Sequence, residues 1–126
     1  MPPRRTVLLV EDEAHFISTL EIAFDGDGEP RLTHTSTAEE ALRILEATEI
    51  AAVITDIHLP SMDGFELIAR LRGQPRFAGL PILVVSGDPD PASSERALSL
   101  GANAFFPKPY SPGAIRRKVK ELIHAA

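Results

Sequence analysis

Five residues with chemically active side chains stand just behind apolar runs of strand length. Glu11 and Asp12 follow Thr6 to Val10, Asp56 follows Ala51 to Thr55, Ser86 follows Pro81 to Val85, and Lys108 comes after Ala104 to Phe106. Together they are three acids, a hydroxyl and a cation. Carboxylates crowded together repel one another, which raises the pKa of at least one of them unless a cation joins them. A hydroxyl among them can donate one hydrogen bond, and a lysine ammonium supplies a compact point charge. Taken singly, an acid after a strand more often caps a helix or faces solvent. The five acquire chemical meaning only in a fold that gathers them.

The pattern between them supplies such a fold, because apolar strand-length runs alternate with stretches of helical period five times. Thr6 to Val10 is the first strand, and the helix from Ala14 puts Phe16, Leu20, Ala23 and Phe24 on one face before Asp25-Gly26-Asp27-Gly28 ends it. Arg31 to Thr35 is polar at alternate positions, as a half-exposed edge strand would be. Thr37-Ala38-Glu39-Glu40 has the form of a capping box, and Ala38, Ala41, Leu42 and Leu45 line the helix that follows. Ala51 to Thr55 and Pro81 to Val85 are almost continuously apolar, which suits central parallel strands covered on both faces. Between them Gly64 to Arg72 carries Leu67, Ile68 and Leu71 at helical spacing, with Gly73 at its end. The fourth helix has Asp90 as cap, Pro91 at its first position and Gly101 past its end. The fifth has Ser111 as cap, Pro112 behind it, and a stripe of Ile115, Val119, Leu122 and Ile123. Five βα units predict an α/β, doubly wound parallel sheet with right-handed crossovers. Ligands of such sheets sit beyond the carboxyl ends of the strands, where the five residues lie.

Composition narrows the function. A chain of 126 residues, with 44% apolar and 25% charged residues, fits one packed domain, read here as 1–126 with a short tail at 1–5. The balance of 13 Lys+Arg against 18 Asp+Glu leaves −5, which argues against nucleic acid as a partner. The absence of cysteine excludes disulfide scaffolds, zinc ribbons and thiol catalysis. The N-terminal apolar run, Val7 to Val10, is too short for a signal peptide or a membrane span, so a cytoplasmic protein with no membrane partner is expected.

Four stretches, Leu8 to Glu13, Ile54 to Gly64, Val84 to Gly87 and Gly101 to Pro109, together resemble the receiver domains of two-component response regulators, and the resemblance covers nearly the whole chain. It implies a flavodoxin-like (βα)5 fold of strand order 2-1-3-4-5, in the stand-alone form of the chemotaxis protein CheY. It implies that Asp56 is the phospho-acceptor, charged by a sensor histidine kinase or a histidine phosphotransfer protein. Lys108 would bind the phosphoryl group after a cis bond to Pro109, and Ser86 would sense it. Phe105 would be the aromatic switch residue, in place of the Tyr often found there. Magnesium would be held by Asp12, Asp56 and the main-chain carbonyl of His58, with Glu11 acting partly through water, since this ion takes oxygen ligands and keeps several waters. His58 and Asp88, two residues beyond Asp56 and Ser86, would tune dephosphorylation. The family places its downstream partner on the face of helix 4, strand 5 and helix 5. On that reading the protein is a signalling module, not an enzyme in the ordinary sense, although it assists its own phosphorylation and dephosphorylation.

Two other classes fit less well. A haloacid dehalogenase-type phosphatase or phosphotransferase also uses an aspartate after a central strand, but it wants a second Asp where this chain has His58, and usually a cap domain. A flavodoxin-like electron carrier needs a Ser/Thr-rich phosphate loop after the first strand, where Glu11-Asp12-Glu13 would repel the phosphate of FMN. His15, His34, His58 and His124 have no zinc-ligand spacing. The basic residues Arg116, Arg117, Lys118 and Lys120 read first as a solvated helix face and second as a partner contact.

Overall fold

A computed structural model describes residues 5–25 and 30–124. Five strands, β1 (Thr6–Val10), β2 (Arg31–Thr35), β3 (Ala52–Asp56), β4 (Ile82–Ser86) and β5 (Ala104–Pro107), alternate with five helices. The helices are α1 (Ala14–Phe24), α2 (Ala38–Ala47), α3 (Gly64–Arg72), α4 (Pro91–Leu100) and α5 (Pro112–His124), with a 3-10 turn at Pro75–Phe77. All strand pairs are parallel and the order is β2-β1-β3-β4-β5. The expected flavodoxin-like topology is therefore the one observed.

The period of two along each strand divides the core. Val7 and Leu9 of β1, Ala52 and Ile54 of β3, and Leu83 and Val85 of β4 pack under α1 and α5 with Leu20, Phe24, Ile115 and Val119. Leu8, Val10, Val53, Ile82 and Val84 point the other way, against Ala41 and Leu45 of α2, Leu67, Ile68 and Leu71 of α3, and Ala97 of α4. Phe106 and Phe105 follow the same alternation, the first packing with the α1 and α5 side and the second with the α2, α3 and α4 side.

Helix starts follow their sequence signals. The Thr37 hydroxyl accepts from the Glu40 amide, Asp63 caps α3 through the Glu66 amide, and Asp90 caps α4 through the Ala92 amide. Gly101 ends α4 in the left-handed region, at φ 116°. Arg72, at the last turn of α3, fastens that end: its Nε and Nη2 donate to the Gly101 carbonyl at 3.0 and 2.9 Å, and its Nη1 donates to the Phe77 carbonyl at 2.8 Å.

The structure departs from the sequence reading in two places. The ladder runs one residue further than the apolar runs, so Asp56 pairs with Val85 and Ser86 with Pro107. These two side chains are thus held inside the sheet instead of on the loops behind it, because main-chain pairing continues where apolar character stops. Phe16 is the second: it is only half-buried, and its neighbour Ile17 packs into the core instead. Asp25 is the C-cap of α1, as the expected stop requires, while the rest of that stop, 26–28, lies outside the described residues.

Gly64 joins the fold to the acceptor strand. Its amide donates to the Ile57 carbonyl at 2.8 Å, and a β-carbon there would collide with the Asp56 carbonyl oxygen and come within 2.8 Å of Ile57 Cα. Both are backbone atoms and cannot swing aside. Gly64→Ala is expected to lower the stability by about 2 kcal/mol, through overpacking against the end of β3. Urea unfolding checks this, and an unchanged midpoint would show that the contact relaxes without cost.

Candidate functional site

The carboxyl ends of β1, β3, β4 and β5 bring Glu11, Asp12, Asp56, Ser86 and Lys108 together. Glu11 has no accessible surface, Asp56 is 3% exposed, and the Lys108 side chain is 6% exposed. Asp12, by contrast, faces solvent. Lys108 Nζ donates to Asp56 Oδ2 at 2.8 Å. It lies equally close, 2.8 Å, to Glu11 Oε1 as an ion pair without hydrogen-bond alignment. Glu13 Oε1 is 3.4 Å away. One ammonium thus serves three carboxylates.

The backbone orients these groups. Asp56 Oδ1 accepts from the Ile57 amide at 2.7 Å and the His58 amide at 3.3 Å, which turns Oδ2 toward Lys108. Glu11 Oε2 accepts from the amides of Asp12 and Glu13 at 3.1 and 3.3 Å, and His34 of the edge strand donates its Nε2 hydrogen to the Glu11 carbonyl at 2.9 Å. Lys108 is anchored at its own amide, which donates to the Ser86 carbonyl at 2.8 Å, and it precedes Pro109 through a cis peptide bond.

Burial pushes the Glu11 carboxyl up, and the Asp56 charge adds to the effect, while Lys108 works against both. For Lys108, burial pulls the pKa down, but the hydrogen bond to Asp56 and the charges of Asp56 and Glu11 beside it outweigh that and hold the ammonium above its ordinary value. The lysine is therefore charged throughout the physiological range. Nearby, the Tyr110 phenol is pushed up to about 12 by burial and by the Glu11 charge.

Glu11, Asp12 and Asp56 each present an oxygen within 4.8 Å of the others, and among the described residues they form a group able to hold a metal ion. Three hard oxygen donors, one of them on the solvent side, suit a small divalent cation that keeps part of its water.

Beside this cluster the Ser86 hydroxyl accepts from the Asp88 amide at 3.1 Å. The Asp88 carboxylate accepts from the Ser93 hydroxyl of α4 at 2.7 Å and from the Asp90 amide at 3.0 Å, and it lies 3.5 Å from His58 Nε2. Those bonds, the Asp90 amide first and the Ser93 hydroxyl next, hold its carboxyl below the ordinary range. Phe105 stands on β5 opposite Val84, half-buried against the α4 side. The sequence placed Phe16 on the apolar face of the first helix and Glu13 in an acidic run, and it marked no part in the site for Glu13, Phe16, Ser93 or Tyr110. Glu13 closes the acidic run Glu11-Asp12-Glu13, whereas a core Phe and a Phe beneath a lysine have the same spacing.

This site geometry stands in a chain whose residues 7–120 match the family model for the response regulator receiver domain. The chain belongs to that family. It is similar to the alkaline phosphatase synthesis transcriptional regulatory protein PhoP of Bacillus subtilis, 29% identical over 94% of this chain and 48% of that protein. It is also similar to the chemotaxis protein CheY homolog of Campylobacter jejuni, 25% identical over 93% of this chain and 91% of that one. The chain thus spans about half the length of the first and nearly all of the second. Among solved structures, a response regulator from Chloroflexus aurantiacus superposes with a TM-score of 0.89 at 30% identity, covering 97% of this chain and 99% of that one. The signal receiver domain of a histidine kinase from Syntrophus aciditrophicus gives 0.86 at 30% identity, covering 97% and 92%. Receiver domains are phosphorylation-controlled signalling modules of two-component systems, and they interact with histidine kinases and downstream effectors. No match supports the dehalogenase reading. No helix among the described residues is long and apolar enough to cross a membrane.

The receiver's buried lysine gives a direct test of the charge balance. Removing one partner of a buried ion pair leaves the others unpaired at a cost of roughly 3 kcal/mol. Lys108→Met is expected to lose about that much in chelator-containing buffer, and Glu11→Gln added to it should restore part of the loss. Denaturant unfolding of the single and double variants measures both effects. Equal stability of Lys108→Met and wild type would show that the lysine does not balance these acids.

Proposed function

We propose that Asp56 is the phospho-acceptor and that the whole of 1–126 works as one receiver module. The observation that carries this reading is the buried Asp56 carboxylate, oriented by two backbone amides, beside Lys108 at 2.8 Å and within 4.8 Å of Glu11 and Asp12 oxygens. A carboxylate so placed attacks the phosphorus of a phosphohistidine on a sensor kinase or phosphotransfer protein. The P–N bond breaks, the imidazole leaves, and an acyl phosphate forms on Asp56. Transfer through a loose transition state needs positioning and charge neutralisation more than covalent help.

Each neighbour has a part in this chemistry. Asp12, Asp56 and the His58 main-chain carbonyl would hold magnesium, with Glu11 acting partly through water, and the ion would supply positive charge against the phosphoryl oxygens. Lys108, 2.8 Å from Asp56 Oδ2, would supply further positive charge. Ser86 gives up the Asp88 amide and donates its hydroxyl to the phosphoryl group, and Phe105 turns toward the space this movement opens. His58 and Asp88, paired across the mouth of the site, govern the approach of the water that hydrolyses the acyl phosphate. The altered surface is that of α4, β5 and α5, with Arg117 exposed on α5 and Arg116 and Lys120 half-buried. A downstream protein reads it through shape and basic charge, as a shift between two pre-existing states. The encounter with a kinase belongs in the cytoplasm.

Acetyl phosphate with magnesium is expected to add one phosphoryl group to the wild type and none to Asp56→Asn, as read by intact mass. A magnesium and beryllofluoride titration followed by NMR should shift amides from Asp56 through Ser86 and Phe105 into α4 and α5. Full labelling of Asp56→Asn would reassign the acceptor, and shifts confined to the loop around Asp56 would remove the proposed route.

A further inference from the structure

Two side chains in the first turn of α1 depart from what their positions ordinarily ask of them. Glu13 stands at the N-cap, where an acid would accept from an amide two or three residues on. It makes no capping hydrogen bond, and its Oε1 lies 3.4 Å from Lys108 Nζ instead. Phe16, three residues later, falls on the apolar stripe by spacing. Its ring nevertheless lies beneath the Lys108 ammonium, with Nζ 4.1 Å from the ring centroid. Tyr110 braces that ring at a centroid distance of 5.5 Å and a tilt of 38°. Since Tyr110 is two residues beyond Lys108, the segment that carries the lysine also carries the support for the ring on which it rests.

An aromatic face attracts a cation through its quadrupole, more strongly when the cation is withdrawn from water, and the Lys108 side chain is 6% exposed. The ring differs from the surrounding carboxylates in one respect that matters for phosphoryl chemistry. It holds the ammonium without adding negative charge to a site that must admit a phosphoryl donor, and it does not compete for a metal ion. Its hold also persists when Asp56 becomes an acyl phosphate and its carboxylate charge passes to the phosphoryl oxygens.

We infer that Phe16 is a positioning residue: its ring face, braced by Tyr110, keeps the Lys108 ammonium in place for the phosphoryl group and sets how fast Asp56 is phosphorylated. The inference rests on the reading of Asp56 as acceptor.

The test replaces Phe16 with phenylalanine analogues carrying increasing numbers of ring fluorines, which preserve shape while withdrawing electron density from the face. Initial rates of acyl phosphate formation from acetyl phosphate with magnesium are measured beside melting temperature. The rate is expected to fall stepwise with fluorination, by about fivefold in all, while the melting temperature stays level. Phe16→Leu should be at least as slow as the most fluorinated ring, and Phe16→Trp should recover most of the rate. A wild type that is labelled at Asp56, with a rate that stays flat across the fluorinated series, overturns the role of the ring alone. A wild type that takes no label at Asp56 overturns the acceptor reading, and this inference with it.

Discussion

A single buried ammonium faces more negative charge than it can neutralise, and the arrangement of the receiver follows from that. Lys108 meets Asp56, Glu11 and Glu13 at once, with Asp12 close behind. Unpaired charges cannot be buried cheaply, so every carboxylate oxygen there that is not on the lysine needs an amide, water or a second cation. The amides of residues 12, 13, 57 and 58 meet part of that demand. The remainder is a deficit of positive charge, and it gives a metal ion a reason to bind at this edge of the sheet.

The same deficit connects chemistry to conformation. A phosphoryl group on Asp56 would carry close to two negative charges where the carboxylate carried one. At the end of the neighbouring strand the Ser86 hydroxyl accepts from the Asp88 amide, and on the proposed reading its own hydrogen is offered to that group. Asp88 is in turn tied to Ser93 of α4. Moving one hydroxyl therefore disturbs a chain of bonds that ends on a helix. At its other end α4 is pinned by the two bonds from Arg72 to Gly101. On the proposed reading, a helix fixed at its C-terminus and tied at its N-terminus through Ser93 and Asp88 would pivot without unfolding.

Most of this architecture was legible in the sequence. The continuous apolar runs at β3 and β4 placed them at the centre, the polar alternation of Arg31 to Thr35 marked the edge, and Thr37, Asp90 and Ser111 each marked a helix start. The side chains at the strand ends were legible because a parallel sheet leaves only one edge for them. Contacts made by side chains across elements were not. Nothing in the spacing of Phe16 separates a core residue from a ring under a lysine, and nothing around Ser93 says that its hydroxyl meets Asp88. Those pairings depend on where loops bring α1 and α4, which period and capping do not specify. Asp56 and Ser86 were expected behind their strands, but main-chain pairing, unlike burial, leaves no mark on composition and carries them into the ladder.

The central claim is that the site carries an unbalanced negative charge that a divalent cation completes in the native state. Thermal melts with and without millimolar magnesium test it most directly, because an ion that binds only the folded protein stabilises it in proportion to its occupancy. The account predicts that magnesium raises the melting temperature of the wild type and that Asp12→Ala loses most of the response while melting no lower than wild type without metal. A wild-type melt that does not move with magnesium would contradict it.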